Sequence, residues 1–113
     1  MEYRIEKSSN CYVLKLVNDI TVYEVERLKE AFESAKKEKG FNNRIILDLE
    51  KVGFIDALAL GVLTGFSQQL RENGGDVKIT HMSEDIKTVF DLSHLSKIFE
   101  IYNSVEEAAK SFF

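Results

Sequence analysis

A chain of 113 residues has room for one domain with a real core and too little for a second. Its 44% hydrophobic and 30% charged residues are those of an ordinary soluble protein, and no run of about 18 apolar residues offers a membrane-spanning helix. A net charge of −4 disfavours non-specific nucleic-acid binding, and the single cysteine, Cys11, excludes an internal disulfide.

Residues 1–5 lack the basic and apolar regions of a signal peptide, so the expected location is cytoplasmic. Residues 3–7 alternate weakly, with Tyr3 and Ile5 on one side, and residues 11–17 form a stronger apolar run. Ser8, Ser9 and Asn10 between them read as a turn, which predicts an opening hairpin with Cys11 as a buried thiol. Asn18 and Asp19 break the second strand, and Thr21 is placed to cap a helix over about residues 22–37. Val25, Leu28, Phe32 and Ala35 share one face of that helix. Lys36, Lys37 and Lys39 sit at its end, where lysines suit the negative pole of the dipole, and Gly40 is expected to stop it or begin the return.

Residues 44–49 form a nearly continuous apolar run, the mark of an interior strand; Asp48 is read there as a surface or hydrogen-bonded acid. A second helix is expected over about residues 57–72, stopping before Asn73, Gly74 and Gly75. A wheel groups Ala59, Val62, Leu63, Phe66 and Leu70 toward the sheet. Leu58 falls about 100° from the centre of that group, at the edge of the core or beyond it. Gly61, inside the helix, implies either close packing or access to a neighbouring surface. Residues 76–80 read as a short strand, Ser83 as the cap of a third helix carrying Ile86, Val89 and Phe90, and residues 97–101 as a late edge strand. Ser104 to Glu107 has the capping-box pattern of a last helix, whose terminal Phe112 and Phe113 either anchor the end or fray. Strands linked through helices predict an α/β domain over residues 1–113: a mainly parallel sheet with an initial hairpin, the two helices starting near Thr21 and Asp56 packing on one side.

Residues 53–61, Gly-Phe-Ile-Asp-Ala-Leu-Ala-Leu-Gly, join the interior strand to the second helix, with Asp56 as N-cap. A helix start at the end of a strand is a common place for function in α/β proteins. Ala57, Leu58 and Ala59 cannot attack, transfer a proton or ligate a metal, so the expected function is binding, without catalysis or a cofactor. His81 and His94 lie in different connections with no ligand pattern nearby, and Gly74 and Gly75 follow a helix where a phosphate loop must precede one. Ser8, Ser9, Thr64 and Ser67 have no spacing-defined base.

Residues 54–61 resemble the motif Asp-Ser-Ser-Gly-Leu-Gly of STAS domains in the bacterial anti-sigma-factor antagonist family. Residues 45–49, the Gly74 and Gly75 turn, and the tail from Val89 through Ala108 are similar as well. The resemblance implies a protein partner: an anti-sigma factor that is also a serine kinase, released from its sigma factor and able to phosphorylate the second motif serine. By position the first serine falls on Ala57 and the phosphorylated one on Leu58, while Ala59 replaces a glycine and Asp56, Leu60 and Gly61 are retained. The family's acidic turn after the second strand falls on residues 18–21, with Asp19 and Thr21. The resemblance thus implies a partner surface of Asp19, Thr21, Asp56, Ala57, Leu58, Ala59 and Gly61. Leucine has no hydroxyl, so the serine switch cannot operate at position 58. Two readings follow: an antagonist without the usual off-switch, or a divergent STAS scaffold or subunit of a larger regulatory complex. Neither nucleic acid nor membrane is an expected partner, and a homodimer is left open.

Overall fold

The computed structural model describes residues 1–112; Phe113, expected with Phe112 to anchor or fray, lies outside the described residues. Strands β1 (Glu2–Ser8) and β2 (Cys11–Val17) pair antiparallel about the turn at Ser9 and Asn10, from Glu2 opposite Val17 to Ser8 opposite Cys11. A 3-10 turn (Val22–Glu24) leads into α1 (Val25–Lys36), followed by β3 (Arg44–Lys51), α2 (Ala57–Glu72), β4 (Asp76–Thr80) and α3 (Glu84–Leu92). A second 3-10 turn (Leu95–Lys97), β5 (Glu100–Tyr102) and α4 (Val105–Lys110) complete the described chain. The sheet order is β1-β2-β3-β4-β5, parallel throughout except for the first pair.

That order fixes the layers. Each parallel step moves to the next strand in the same direction, and crossovers of one hand then set their helices on one face. The main core accordingly joins Leu14, Leu16, Ile45, Leu47, Leu49, Val77 and Ile79 of the sheet to Leu28 and Phe32 of α1, Leu63 and Phe66 of α2, and Phe90 of α3. Phe32 and Phe66 stack at 3.9 Å between ring centroids, which ties α1 to α2 on the same side. A smaller core lies on the opposite face, where Cys11, Val13 and Ile46 meet Ala108 and Ala109 of α4. Burial there pushes the Cys11 thiol above its ordinary pKa. The continuous apolar run of β3 therefore reflects cover on both faces.

Two boundaries differ from the sequence reading, the start of the first helix and the start of the last strand. The first helix opens as a 3-10 turn because the Thr21 hydroxyl accepts from Tyr23 N, two residues on, at 3.3 Å. Its end agrees with the expectation: Lys37 is the C-cap, and Gly40, at φ 76°, begins the return. The late strand begins at Glu100 rather than Lys97: His94 is left-handed and Leu95–Lys97 winds into a 3-10 turn, which lets buried Phe99 pack against Phe90 at 5.9 Å. On α2, Val62 is only half-buried, while Leu60 and Ser67, absent from the expected face, are buried. Ser67 satisfies its hydroxyl on the Thr64 carbonyl at 2.9 Å.

Candidate functional site

The connections after β2 and β3 are stitched into one platform. Asn18 N donates to the Lys51 carbonyl at 3.0 Å and Ile20 N to the Phe54 carbonyl at 2.8 Å, while Asp56 N donates back to the Ile20 carbonyl at 3.1 Å. Ile20 and Ile55 form a parallel bridge and are both buried, so an apolar pin lies beneath the two turns. Asn18 takes a left-handed conformation, φ 75°, to leave β2, and asparagine tolerates this better than most residues. Asp19 is exposed, with its carboxylate close over Gly53: a Cβ there would stand 3.1 Å from Oδ1.

Two helices start from this platform. Thr21 is half-buried; its hydroxyl donates to the Glu24 carboxylate at 3.1 Å besides accepting from Tyr23 N. Asp56 Oδ1 accepts from Ala59 N at 3.0 Å, which makes it the N-cap of α2. Ala57 and Leu58 are exposed in the first turn, Leu58 to 54%. Ala59 differs from the other residues of the expected surface: its methyl group is fully buried, so it supports the turn from beneath and cannot present a side chain outward. Gly61 is exposed, and a Cβ built on it would meet nothing within 4 Å, which removes close packing as the reason for glycine there.

The fold exposes further apolar groups here that periodicity did not single out. Phe54 is 49% exposed in the β3–α2 connection, and Val22 and Tyr23 of the first 3-10 turn are 49% and 92% exposed. The signal was present in residues 53–56: in an extended connection successive side chains point to opposite sides, so burial of Ile55 turns Phe54 outward. These residues, with Leu58, give an apolar surface accompanied by the carboxylates of Asp19, Glu24 and Asp56.

Asp48, expected as an ordinary hydrogen-bonded acid, is buried on the face opposite α1–α3; it accepts from Glu50 N at 3.0 Å and lies 3.0 Å from His81 Nδ1. His94 is exposed. No group of three His, Cys, Asp or Glu side chains converges among the described residues in a way that could hold a metal. Nor is any described helix long and apolar enough to cross a membrane.

The chain as a whole has counterparts in known proteins. The chain is 29% identical over 112 residues to the BtrV protein of Bordetella bronchiseptica, covering 99% of this chain and 95% of that one. It is also 29% identical over 98 residues to the anti-sigma-B factor antagonist of Listeria monocytogenes, covering 87% and 84%. Among solved structures, a STAS domain protein from Planctomyces limnophilus superposes with a TM-score of 0.85 at 18% identity, over 97% of each chain, a likeness of fold. The family model for the STAS domain matches residues 2–108, and this chain belongs to that family.

Proposed function

We propose that this protein is an anti-sigma-factor-antagonist-like regulator, a non-catalytic module that binds an anti-sigma factor or a related regulatory kinase and thereby acts on transcription. Its relatives named as anti-sigma-B factor antagonists support the class of partner. The platform of Asp19, Thr21, Asp56, Ala57, Leu58 and Gly61, extended by Val22, Tyr23 and Phe54, is the proposed docking surface, with Ala59 holding it from below.

The observation that carries this reading is Leu58, a large apolar side chain more than half exposed in a capped and well-supported helix turn. A leucine in that position gains by being covered, because burial of apolar area favours association by about 25 cal/mol per Å². A phosphoserine there would instead carry a charge of about −1.5 to −2. Binding at this surface is therefore constitutive with respect to position 58: no phosphate can be added to eject the partner.

The test is capture of partners from the native cell, repeated with Leu58→Glu and Asp56→Arg, with thermal unfolding of each variant. Leu58→Glu is expected to unfold at the wild-type temperature and to lose an anti-sigma-type partner by about tenfold or more in affinity. Unchanged affinity would end the docking role of Leu58. A stable partner unrelated to sigma-factor control would assign the chain to the scaffold class.

A further inference from the structure

Strand β1 is an outer strand of the sheet, seven residues long and free of proline. The turn at Ser9 and Asn10 closes on Ser8 opposite Cys11, which makes that couple a hydrogen-bonded pair. Alternation along an antiparallel ladder then gives Glu6 with Val13, Arg4 with Lys15 and Glu2 with Val17 the same status. Tyr3, Ile5 and Lys7 occupy the intervening positions, with their N–H and C=O groups directed away from β2. Among the described residues no backbone hydrogen bond from outside the hairpin reaches them. The other outer strand, β5, has three residues, and the Arg71 guanidinium already donates to the Ile98 carbonyl beside it.

The charges on β1 are poorly matched within the chain. Arg4 lies directly opposite Lys15, an unfavourable like-charge pair. Lys15 turns to Glu6, at 3.3 Å, and Arg4 has no carboxylate at ion-pair distance among the described residues. Both Arg4 and Glu6 are exposed, whereas Tyr3 and Ile5 lean onto the main core.

We propose that β1 is a self-association edge: a second copy of this chain adds its own β1 antiparallel, Ile5 opposite Ile5, to make one continuous sheet with five strands from each copy. Symmetric registers centred on any residue from Tyr3 to Lys7 suit the outward N–H and C=O groups, and charge distinguishes them: centring on Glu6 or Lys7 sets two like charges against each other at the axis. Centring on Arg4 sets Arg4 against Arg4 and Glu2 against Glu6, which repels twice over. Centring on Tyr3 matches Arg4 with Glu2 but leaves Glu6 and Lys7 beyond the overlap. Centring on Ile5 places Arg4 of each copy opposite Glu6 of the other, Tyr3 opposite Lys7, and two isoleucines at the axis. Charged side chains on an outer strand commonly prevent pairing; here one register turns them into two complementary pairs. The platform at the ends of β2 and β3 lies outside this edge, so a dimer presents it twice, and the inference is independent of what the platform binds.

The experiment is analytical ultracentrifugation of the full chain over a concentration series. The mass is expected to rise from 12.9 kDa toward twice that value. Arg4→Glu and Glu6→Arg should each weaken the dimer by about tenfold, two exposed pairs being converted to repulsion. The double variant Arg4→Glu/Glu6→Arg should return to within about threefold of wild type. Lys7→Pro removes an outward N–H and no bond to β2, so it should weaken the dimer while leaving the far-ultraviolet circular dichroism unchanged. A wild-type chain that stays monomeric at about 0.5 mM overturns the proposal. So does a dimer indifferent to the single charge reversals or to Lys7→Pro, and so does a folded double variant that fails to recover.

Discussion

On the face of the sheet covered by α1–α3, Leu47, Val77 and Ile79 meet Leu63, Phe66 and Phe90 in one apolar layer. On the opposite face, where the small apolar core lies under α4, the sheet also buries Asp48, Lys78 and Thr80. The Lys78 side chain is 7% exposed; its ammonium donates to Glu100 and lies over the rings of Tyr102 and Phe112. Asp48 is held by Glu50 N and His81. Thr80 Oγ1 has no hydrogen-bond partner among the described residues, so one face is stabilised by volume and the other in part by the partnered Asp48 and Lys78. The candidate platform grows from the first kind: α1 and α2 both start in it, and their stacked phenylalanines hold them together.

The largest expected effect breaks the apolar face. Phe66→Ala removes one ring of the stack and should cost about 3–5 kcal/mol in urea unfolding. The matching change on the other face, Lys78→Met, keeps the stem volume and removes the ion pair. Glu100 loses its partner but is 56% exposed and stays hydrated, so the loss should be no more than about 1 kcal/mol. Comparable losses in the two variants would erase the distinction between the faces.

At the platform the contest is between capping and the side chains that follow it. Asp56, Ser83 and Ser104 each accept from an N–H three residues on, at 3.0, 3.2 and 3.1 Å. The first turns of α3 and α4 add acids that suit the helix dipole, and α2 has none. Asp56→Ala should cost about 0.5–2 kcal/mol. Ser104→Ala should cost less, since α4 has six residues and its loss exposes a smaller core. Equal losses by equilibrium unfolding would show that the cap of α2 has no special leverage on the platform.

Much of this was legible in the sequence because it is local. Hairpin, strand runs, caps at Thr21, Asp56, Ser83 and Ser104, and the shared side of α1 and α2 follow from alternation, periodicity and capping chemistry. What escaped depends on distant partners. Phe99 displaces the last strand by burying itself on Phe90. Ala59 is buried, as the helical wheel placed it, and only the motif resemblance set it in the partner surface. Val22, Tyr23 and Phe54 gather on one platform only because the backbone of Ile20 is bonded to that of Phe54 and Asp56, a tie across more than thirty positions that no short-range pattern encodes.

Gly61 sharpens the comparison in the other direction. With open space where a Cβ would sit, Gly61→Ala should stabilise the chain by roughly 0.5–1 kcal/mol through helix propensity alone. If the platform needs a close backbone approach there, partner affinity should fall while the melting temperature rises. A gain in stability with unchanged affinity would reduce Gly61 to a tolerated helix glycine.

The smallest expected effect tests the polar face by pH. The hydrogen bond from Lys78, helped by one from the Tyr102 hydroxyl, holds the Glu100 carboxyl below its ordinary value of 4.5. A carboxyl depressed in the folded state binds its proton more readily once unfolded, so it adds stability at pH above the unfolded value, and that increment is lost as the pH falls through the folded one. The Glu100 side chain is 56% exposed, which leaves much of the attraction screened by solvent and salt. Glu100→Gln should therefore be slightly less stable than wild type near neutrality, and the gap should close as the pH drops below the ordinary glutamate range. Added salt should narrow the same gap at neutral pH. Urea midpoints for the two proteins across the acid range check this directly: parallel curves would mean that Lys78 is held by its aromatic neighbours and the Ser111 carbonyl, with Glu100 adding nothing that titrates.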